Sequence, residues 1–459
     1  ADAVAGRTRH GRFMSKSHLF YQTGARRPRV ARAEGICLWD VDGKRYIDAS
    51  SGPMVSNIGH SNPRVLAAMR AQMERTTFAY RLHFENDAAE DLATLTASLM
   101  PEGMDRIFFV SGGSEAVESC LKLARQYAWV SGQRERWKVI SLFPSYHGST
   151  LGATAVTGMH PFTEPFADMI RVMPKIPAAT CYLDRDALSL EERGRRYARK
   201  LREEIERQGP ETVLAFIMEP VGGASTGALV PPDSWYREIR DICKQYGVLL
   251  IADEVMTGAG RTGAFLACEH WDLRPDIIAM AKGFAAGYAP LGAMAADRRI
   301  VDAVLASGGF AHGYTYAGNP LACAAGHAVL QEVLGQGLVG NAAEQGARLR
   351  QALEGLMQRY PFIGDVRGKG LLLAFELVAD RETMEPLPPA LEAHVRLVEE
   401  AYRRGLIIYS RRTRGGTVGD HFMVCPPLIV TDADVDEITG ILADSLDAFA
   451  ADAGLPVGP

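Results

Sequence analysis

Between residues 106 and 281, short apolar runs alternate with amphipathic stretches, and this alternation restricts the fold more than any other feature of the chain. RIFFV (106–110) is followed by EAVESCLKLARQYAWV, with apolar residues at helical spacing, and then by KVISL (138–142). VLAFIME (213–219) precedes the helical SWYREIRDICKQYG; VLLIADEV (248–255) and DIIAMA (276–281) complete the series. Strands that are apolar throughout are buried on both faces, and strand–helix–strand units cross over right-handed. The expected fold class is therefore α/β, a mostly parallel central sheet with helices on both faces. Ligand chemistry in such sheets collects at the carboxyl ends of the strands.

The flanking regions read differently. ICLWDVDGKRYIDA reads as two short strands joined at Asp42-Gly43, a strong hairpin signal. NPRVLAAMRAQMERT and DAAEDLATLTASLM follow at helical spacing. After about residue 335 come a long helix (NAAEQGARLRQALEGLMQRY), the strand-like LLLAFELVA, a further helix (AHVRLVEEAYRRG) and a helical tail. The expectation is an N-terminal segment (1–60) packed with a smaller α+β domain (336–459), and a large domain over 61–335. A chain of 459 residues has room for this division.

Composition excludes several classes of function. The formal net charge is -5, and Lys and Arg are scattered apart from Arg26-Arg27 and the cluster Arg411, Arg412, Arg414, so no nucleic-acid partner is expected. The opening ADAVAGRTRHGRF lacks the apolar core of a signal peptide, and no uncharged apolar span is long enough to cross a membrane. Seven cysteines occur singly, without a CxxC pair, which argues against a disulfide framework or a zinc site. A cytoplasmic protein of enzyme size, with no metal, is expected.

Three stretches carry chemistry. Lys282 ends the run DIIAMA and is followed by glycines at 283, 287 and 292. Alone, a Lys-Gly pair is most simply a solvated turn; at a buried strand end, desolvation would instead free a neutral, nucleophilic amine. Val110-Ser111-Gly112-Gly113-Ser114 carries a strand into a helix start, where free amides and the helix dipole suit a phosphate, although a capped turn is the simpler reading. VLLIADEV delivers Asp253 to a strand end, where it can pair with a protonated ring nitrogen or stay exposed. Asp253 and Lys282 stand 29 residues apart, about one strand–helix–strand unit, so a parallel sheet puts both at one edge with the Ser111–Ser114 turn. Lysine, carboxylate and phosphate cradle at one rim form the constellation of a pyridoxal phosphate enzyme. Tyr146, in Tyr146-His147-Gly148, could stack on a pyridine ring or pack on the surface. Thr315, before a Gly-Asn-Pro turn, could bind phosphate or cap the helix that follows.

At this point the sequence resembles the class III pyridoxal phosphate-dependent aminotransferases. The resemblance covers nearly the whole chain, through AEGICLWDVDGKRYID, SGGSEAVE, SYHG, MEPV, DEVMTGAGRTG, AKGFAAGYAPLGA, TYAGNPLACAA, VRGKG and PPLIVT. It implies fold type I, pyridoxal 5'-phosphate as cofactor and a homodimer with active sites at the subunit interface. By resemblance, Lys282 bonds the cofactor and carries the proton. Gly112, Gly113 and Ser114 bind its phosphate, Tyr146 and Val255 cover the two ring faces, Asp253 pairs with the ring nitrogen and Glu219 lies close by. Thr315 reaches the phosphate of the partner subunit's site.

The subgroup most similar in look moves an amino group from an ω-amino acid or amine to a keto acid, pyruvate above others, in a ping-pong reaction. The alternative is another class III enzyme: a 2-oxoglutarate-dependent aminotransferase, an aminomutase or a decarboxylase. Such transaminases often carry a tryptophan where Met54 aligns; a flexible methionine suggests a more adaptable pocket, or plain core filling. Many also use an arginine shortly after a strand like GLII to bind a carboxylate. A straight count from Gly405 puts Tyr409 at that place, and an insertion then brings Arg411, Arg412 and Arg414. Any of the three could make the bidentate contact, or all could belong to a solvated loop.

Overall fold

The computed structural model describes residues 18–458 apart from 21, 24 and 25. The opening stretch read above for a targeting signal lies outside them. At the centre is a seven-stranded sheet in the spatial order Arg106–Val110, Gly292–Ala296, Ile277–Met280, Leu249–Asp253, Val213–Met218, Lys138–Phe143, Lys175–Pro177. Only Gly292–Ala296 runs against its neighbours; the remaining pairings are parallel.

Alternate residues of each strand enter two separate cores. Ile251, Ile277 and Ala279 pack with Val117, Cys120 and Ala124 of the helix Gly113–Val130. Leu250, Ile278 and Met280 pack with Trp235, Ile239 and Ile242 of the helix Asp233–Tyr246. Burial on both faces is why these strands read as unbroken apolar runs, each large aliphatic side chain contributing about 1.5–3 kcal/mol.

Two strands carried no readable signal. Gly292–Ala296 is GAMAA, with no β-branched residue, and it returns beside Ile277–Met280 by a tight reversal rather than a helical crossover. Lys175–Pro177 is three residues at the sheet edge. The helix Leu190–Gln208 gives as little apolar signal, because its surface is densely charged; Ala198, Leu201 and Ile205 form its buried stripe, and Ser189 with Glu192 makes a capping box.

A second, antiparallel sheet contains Ile363–Lys369, Leu372–Asp380, Val418–Val424 and Tyr409–Arg414, in that order, with Glu385–Pro386 alongside. The helices Leu338–Arg359, Ala393–Arg403 and Asp432–Ala453 belong to the same region. The N-terminal hairpin pairs Cys37–Asp40 with Arg45–Asp48 around Gly43 at φ 84°, and Arg45–Asp48 then pairs in parallel with Leu406–Ile407. Ile36, Cys37 and Ile47 share a core with Leu349, Phe375, Leu442 and Phe449.

The segment read as a possible solvated loop is corrected by the structure. Tyr409–Arg414 is a strand, turned at Gly415-Gly416 into Val418–Val424. The turn rests on the central sheet's loops: the His160 amide donates to the Gly415 carbonyl at 3.2 Å.

Candidate active site

The strand Ile277–Met280 ends one residue before a single turn of 3-10 helix, Lys282–Phe284, which fixes where the lysine stands. Lys282 has φ 46°, a left-handed conformation that a side chain with Cβ adopts at a cost of about 1–2 kcal/mol. The Ala286 amide donates to its carbonyl at 2.9 Å. Its amine has no hydrogen-bond partner among the described residues. Burial lowers its pKa below the usual lysine range, opposed by the charges of Asp253 and Glu219.

Asp253 is the last residue of its strand and stands opposite Ala279 in parallel register, so both groups sit at the same sheet edge. It is 4 % exposed. One oxygen, Oδ2, lies 2.7 Å from His147 Nδ1, and Oδ1 accepts from the Val255 amide at 3.1 Å. The His147 side chain is fully buried and its Nε2 has no partner among the described residues. With a proton on Nδ1, His147 would donate to one Asp253 oxygen while the Val255 amide donates to the other, the pairing a buried carboxylate facing a ring nitrogen needs. Glu219 Oε2 accepts from the Tyr146 amide at 3.2 Å and Oε1 from the Gly223 amide at 3.0 Å; burial raises its pKa.

The helix Gly113–Val130 begins at the same edge. Gly112 is its N-cap without a side-chain cap, and the amides of Gly113, Ser114 and Glu115 have no acceptor among the described residues. Three open amides at a helix N-terminus form an anion site. A Cβ on Gly113 would lie 2.8 Å from Val255 Cγ1, so glycine lets the turn close onto Val255. Ser114 Oγ accepts from the Ser149 amide at 2.9 Å, and Gly148, at φ 134°, leaves room for that hydroxyl. This bond ties the Tyr146 loop to the anion site. The Tyr146 hydroxyl is 2.9 Å from Ser149 Oγ, and its ring meets Phe162 edge-on.

Lys282, Asp253, Glu219, Tyr146, Val255 and the Gly112–Ser114 turn thus gather at one sheet edge. A buried unpartnered amine, a buried hydrogen-bonded carboxylate and an open anion site fit pyridoxal phosphate, which needs one of each. Thr315 lies apart: it is exposed, and it does not cap the helix Pro320–Gly335, whose cap is Asn319. Met54 is 1 % exposed and sits in an apolar cluster with Val221, Met423 and Cys425, against which Tyr409 packs.

Strand alternation separates the three arginines. Arg411 shares a face with Tyr409, its guanidinium 4.6 Å from the ring centre, and Tyr409 in turn feels Tyr146. Arg411 has no carboxylate partner among the described residues. Arg412 donates to the Pro389 carbonyl at 2.8 Å and Arg414 to the Met384 carbonyl at 2.6 Å, on the opposite face. His147 is the one buried group at the centre of the site to which sequence reasoning gave no role. Its only signal was adjacency to Tyr146 after a strand, since the pairing with Asp253 spans 106 residues.

Comparison with known proteins agrees with this geometry. The model of the family described as "Aminotransferase class-III" matches residues 21–446. The chain is 38% identical to the uncharacterized aminotransferase YodT of Bacillus subtilis, over 92% of this chain and 95% of that protein. It is 32% identical to the putrescine–pyruvate aminotransferase of Pseudomonas aeruginosa, over 92% and 91%. The crystal structure of a thermostable (S)-enantioselective omega-transaminase from Thermomicrobium roseum superposes with a TM-score of 0.88 at 37% identity, covering 94% of this chain and 96% of that one.

Proposed function

The chain belongs to the class III aminotransferases, pyridoxal phosphate-dependent enzymes of fold type I, and on that premise we propose that it moves an amino group from an ω-amino acid or amine to pyruvate by a ping-pong reaction. The observation that carries this reading is the unpartnered, desolvated amine of Lys282 at the same sheet edge as Asp253 and the open amides of the Gly112–Ser114 turn. Omega-transaminase likeness and a putrescine–pyruvate relative favour a terminal amine donor and pyruvate.

When bound, pyridoxal phosphate supplies an electron sink for the bond broken at the amine-bearing carbon. Lys282 would hold it, and its Nζ would be the group that moves a proton at the amine-bearing carbon. Burial lowers the pKa of Nζ and so favours the neutral amine that can accept a proton. Asp253, supported by His147, holds a proton on the ring nitrogen. Gly112, Gly113 and Ser114 would hold the phosphate, Tyr146 and Val255 would hold the ring between them, and Glu219 would lie close to it. Arg411 binds the carboxylate of the keto acid, because it alone of its cluster faces Tyr409 without an acid of its own. Met54 lies behind this pocket.

A homodimer fits the same reading. Phe78, Leu82 and Phe84 are exposed in one segment, and Phe78 meets the exposed Tyr316, next to Thr315, edge-on, which gives apolar surface suited to a second copy. Thr315 would then reach the partner subunit's phosphate. Seven free, buried cysteines suit a reducing, cytoplasmic setting. Among the described residues no helix is long and apolar enough to cross a membrane.

A panel of terminal amines and ω-amino acids with pyruvate, 2-oxoglutarate and glyoxylate, followed by the visible absorption of the bound cofactor, tests the reading. Pyruvate should be the best acceptor. Faster turnover with 2-oxoglutarate, or turnover without any acceptor, would favour the alternative class III activities.

A further inference from the structure

Arg261 is fully buried, and its guanidinium has no acidic hydrogen-bond partner among the described residues. It donates instead to the carbonyls of Leu371 (3.1 Å) and Pro426 (2.6 Å), to Ser51 Oγ (3.3 Å) and to Asn57 Oδ1 (2.7 Å). A buried arginine bonded only to neutral oxygens costs several kcal/mol of desolvation, so its place calls for a reason. The segment it grips is itself strained: Ser51 and Met54 have φ 52° and 58° and are fully buried.

Asn57 links this clamp to the lysine. It is 1 % exposed, its Nδ2 donates to the Ala259 carbonyl at 3.0 Å and its carbonyl accepts from the Leu428 amide at 2.7 Å. A Cβ placed on Gly283 would lie 2.2 Å from Asn57 Nδ2, 2.6 Å from Cγ and 2.9 Å from Oδ1. The carboxamide therefore lies flat against the peptide that follows Lys282. Gly283 does not have a left-handed φ, so its backbone would accept alanine, and Asn57 is what occupies the space. On the other side, Lys282 holds φ 46°, which persists only where the surroundings fix it.

We propose that Asn57, locked by Arg261, is a positioning residue that holds the Lys282 turn in its left-handed conformation and so aims the amine. The inference rests on Lys282 being the cofactor lysine, a reading that loss of the visible cofactor band in Lys282→Ala tests by itself.

The clamp is tested by a double-mutant cycle in the holoenzyme, with Asn57→Ala, Gly283→Ala and the pair. Asn57→Ala should lower kcat about tenfold, move the pH midpoint of the visible cofactor band and leave KM within about twofold. Gly283→Ala should lower kcat at least as far, through collision with the carboxamide. The pair should recover at least threefold over Gly283→Ala, because removing Asn57 opens the space. Losses that simply multiply in the pair, or an Asn57→Ala enzyme with unchanged kcat and pH midpoint, would overturn the proposal. Thermal unfolding of each variant, read beside these values, covers the case of poor folding: a variant that melts early yet keeps the wild-type band midpoint also counts against it.

Discussion

His147 Nδ1 and Asp253 Oδ2 stand 2.7 Å apart, both side chains nearly inaccessible, and the second ring nitrogen of His147 has no partner among the described residues. The histidine thus stands against one oxygen of the Asp253 carboxylate, and the Val255 amide donates to the other. It acts on the chemistry through Asp253, so its substitution should be felt as a weaker version of losing the aspartate.

Replacing His147 with phenylalanine keeps the ring volume and removes the donor. The expected outcome is a kcat reduced by about 10- to 100-fold, the range typical of supporting partners. Asp253→Asn should cost more. Steady-state kinetics of both variants check the order; a His147→Phe enzyme as fast as wild type would separate the histidine from the reaction.

On the proposed reading, Lys282→Ala removes both the anchor and the proton carrier. General base catalysis alone is worth about 10²–10⁴-fold, so transamination should fall by at least that factor. The visible absorption of the bound cofactor should disappear with it. Spectra and activity of the purified variant decide this together.

Only Arg411 of its cluster faces Tyr409, whereas Arg412 and Arg414 are turned to backbone carbonyls on the far face. Arg411→Gln should raise KM for pyruvate by about 10- to 100-fold, in line with about 1.5–3 kcal/mol for a hydrogen bond to a charged group. KM for a donor lacking a carboxylate should stay close to wild type. Arg412→Gln and Arg414→Gln serve as controls, and an effect of equal size in either would reassign the carboxylate site.

Lys175 gives a pH prediction away from the chemistry. Its Nζ donates to the carbonyls of Ala155 (3.0 Å) and Met173 (3.2 Å), and burial alone lowers its pKa to about 8. The unfolded lysine, near 10.5, binds more protons than the folded one between those values, so this residue adds stability as pH rises from about 8 towards 10.5 and penalises the fold below 8. The stability of wild type relative to Lys175→Met should therefore improve between pH 7.5 and 10, by at most about 3 kcal/mol at about 1.4 kcal/mol per pK unit. Denaturant unfolding at the two pH values measures it; a constant difference would remove the titration from the account.

The residues that bear the chemistry were legible because each ends a strand or opens a helix. Lys282, Asp253 and the Gly112–Ser114 turn stand at element boundaries, and parallel strands place their carboxyl ends at one edge by topology alone. The alternation of buried runs and helices likewise follows from sequence periodicity, which is local. What stayed hidden depends on contacts between distant segments. His147 reaches Asp253 across 106 residues, Arg261 reaches Asn57 across 204, and Gly292–Ala296 finds its place by pairing rather than by composition. The choice among Arg411, Arg412 and Arg414 required knowing that they lie on a strand, where alternation assigns the faces. The amino-acid sequence by itself determined the fold class and the cofactor chemistry, because both are written in local patterns. Only the tertiary structure decided which side chains support and aim the reacting groups, because burial and hydrogen bonding between remote segments arise when the sheets close on one another.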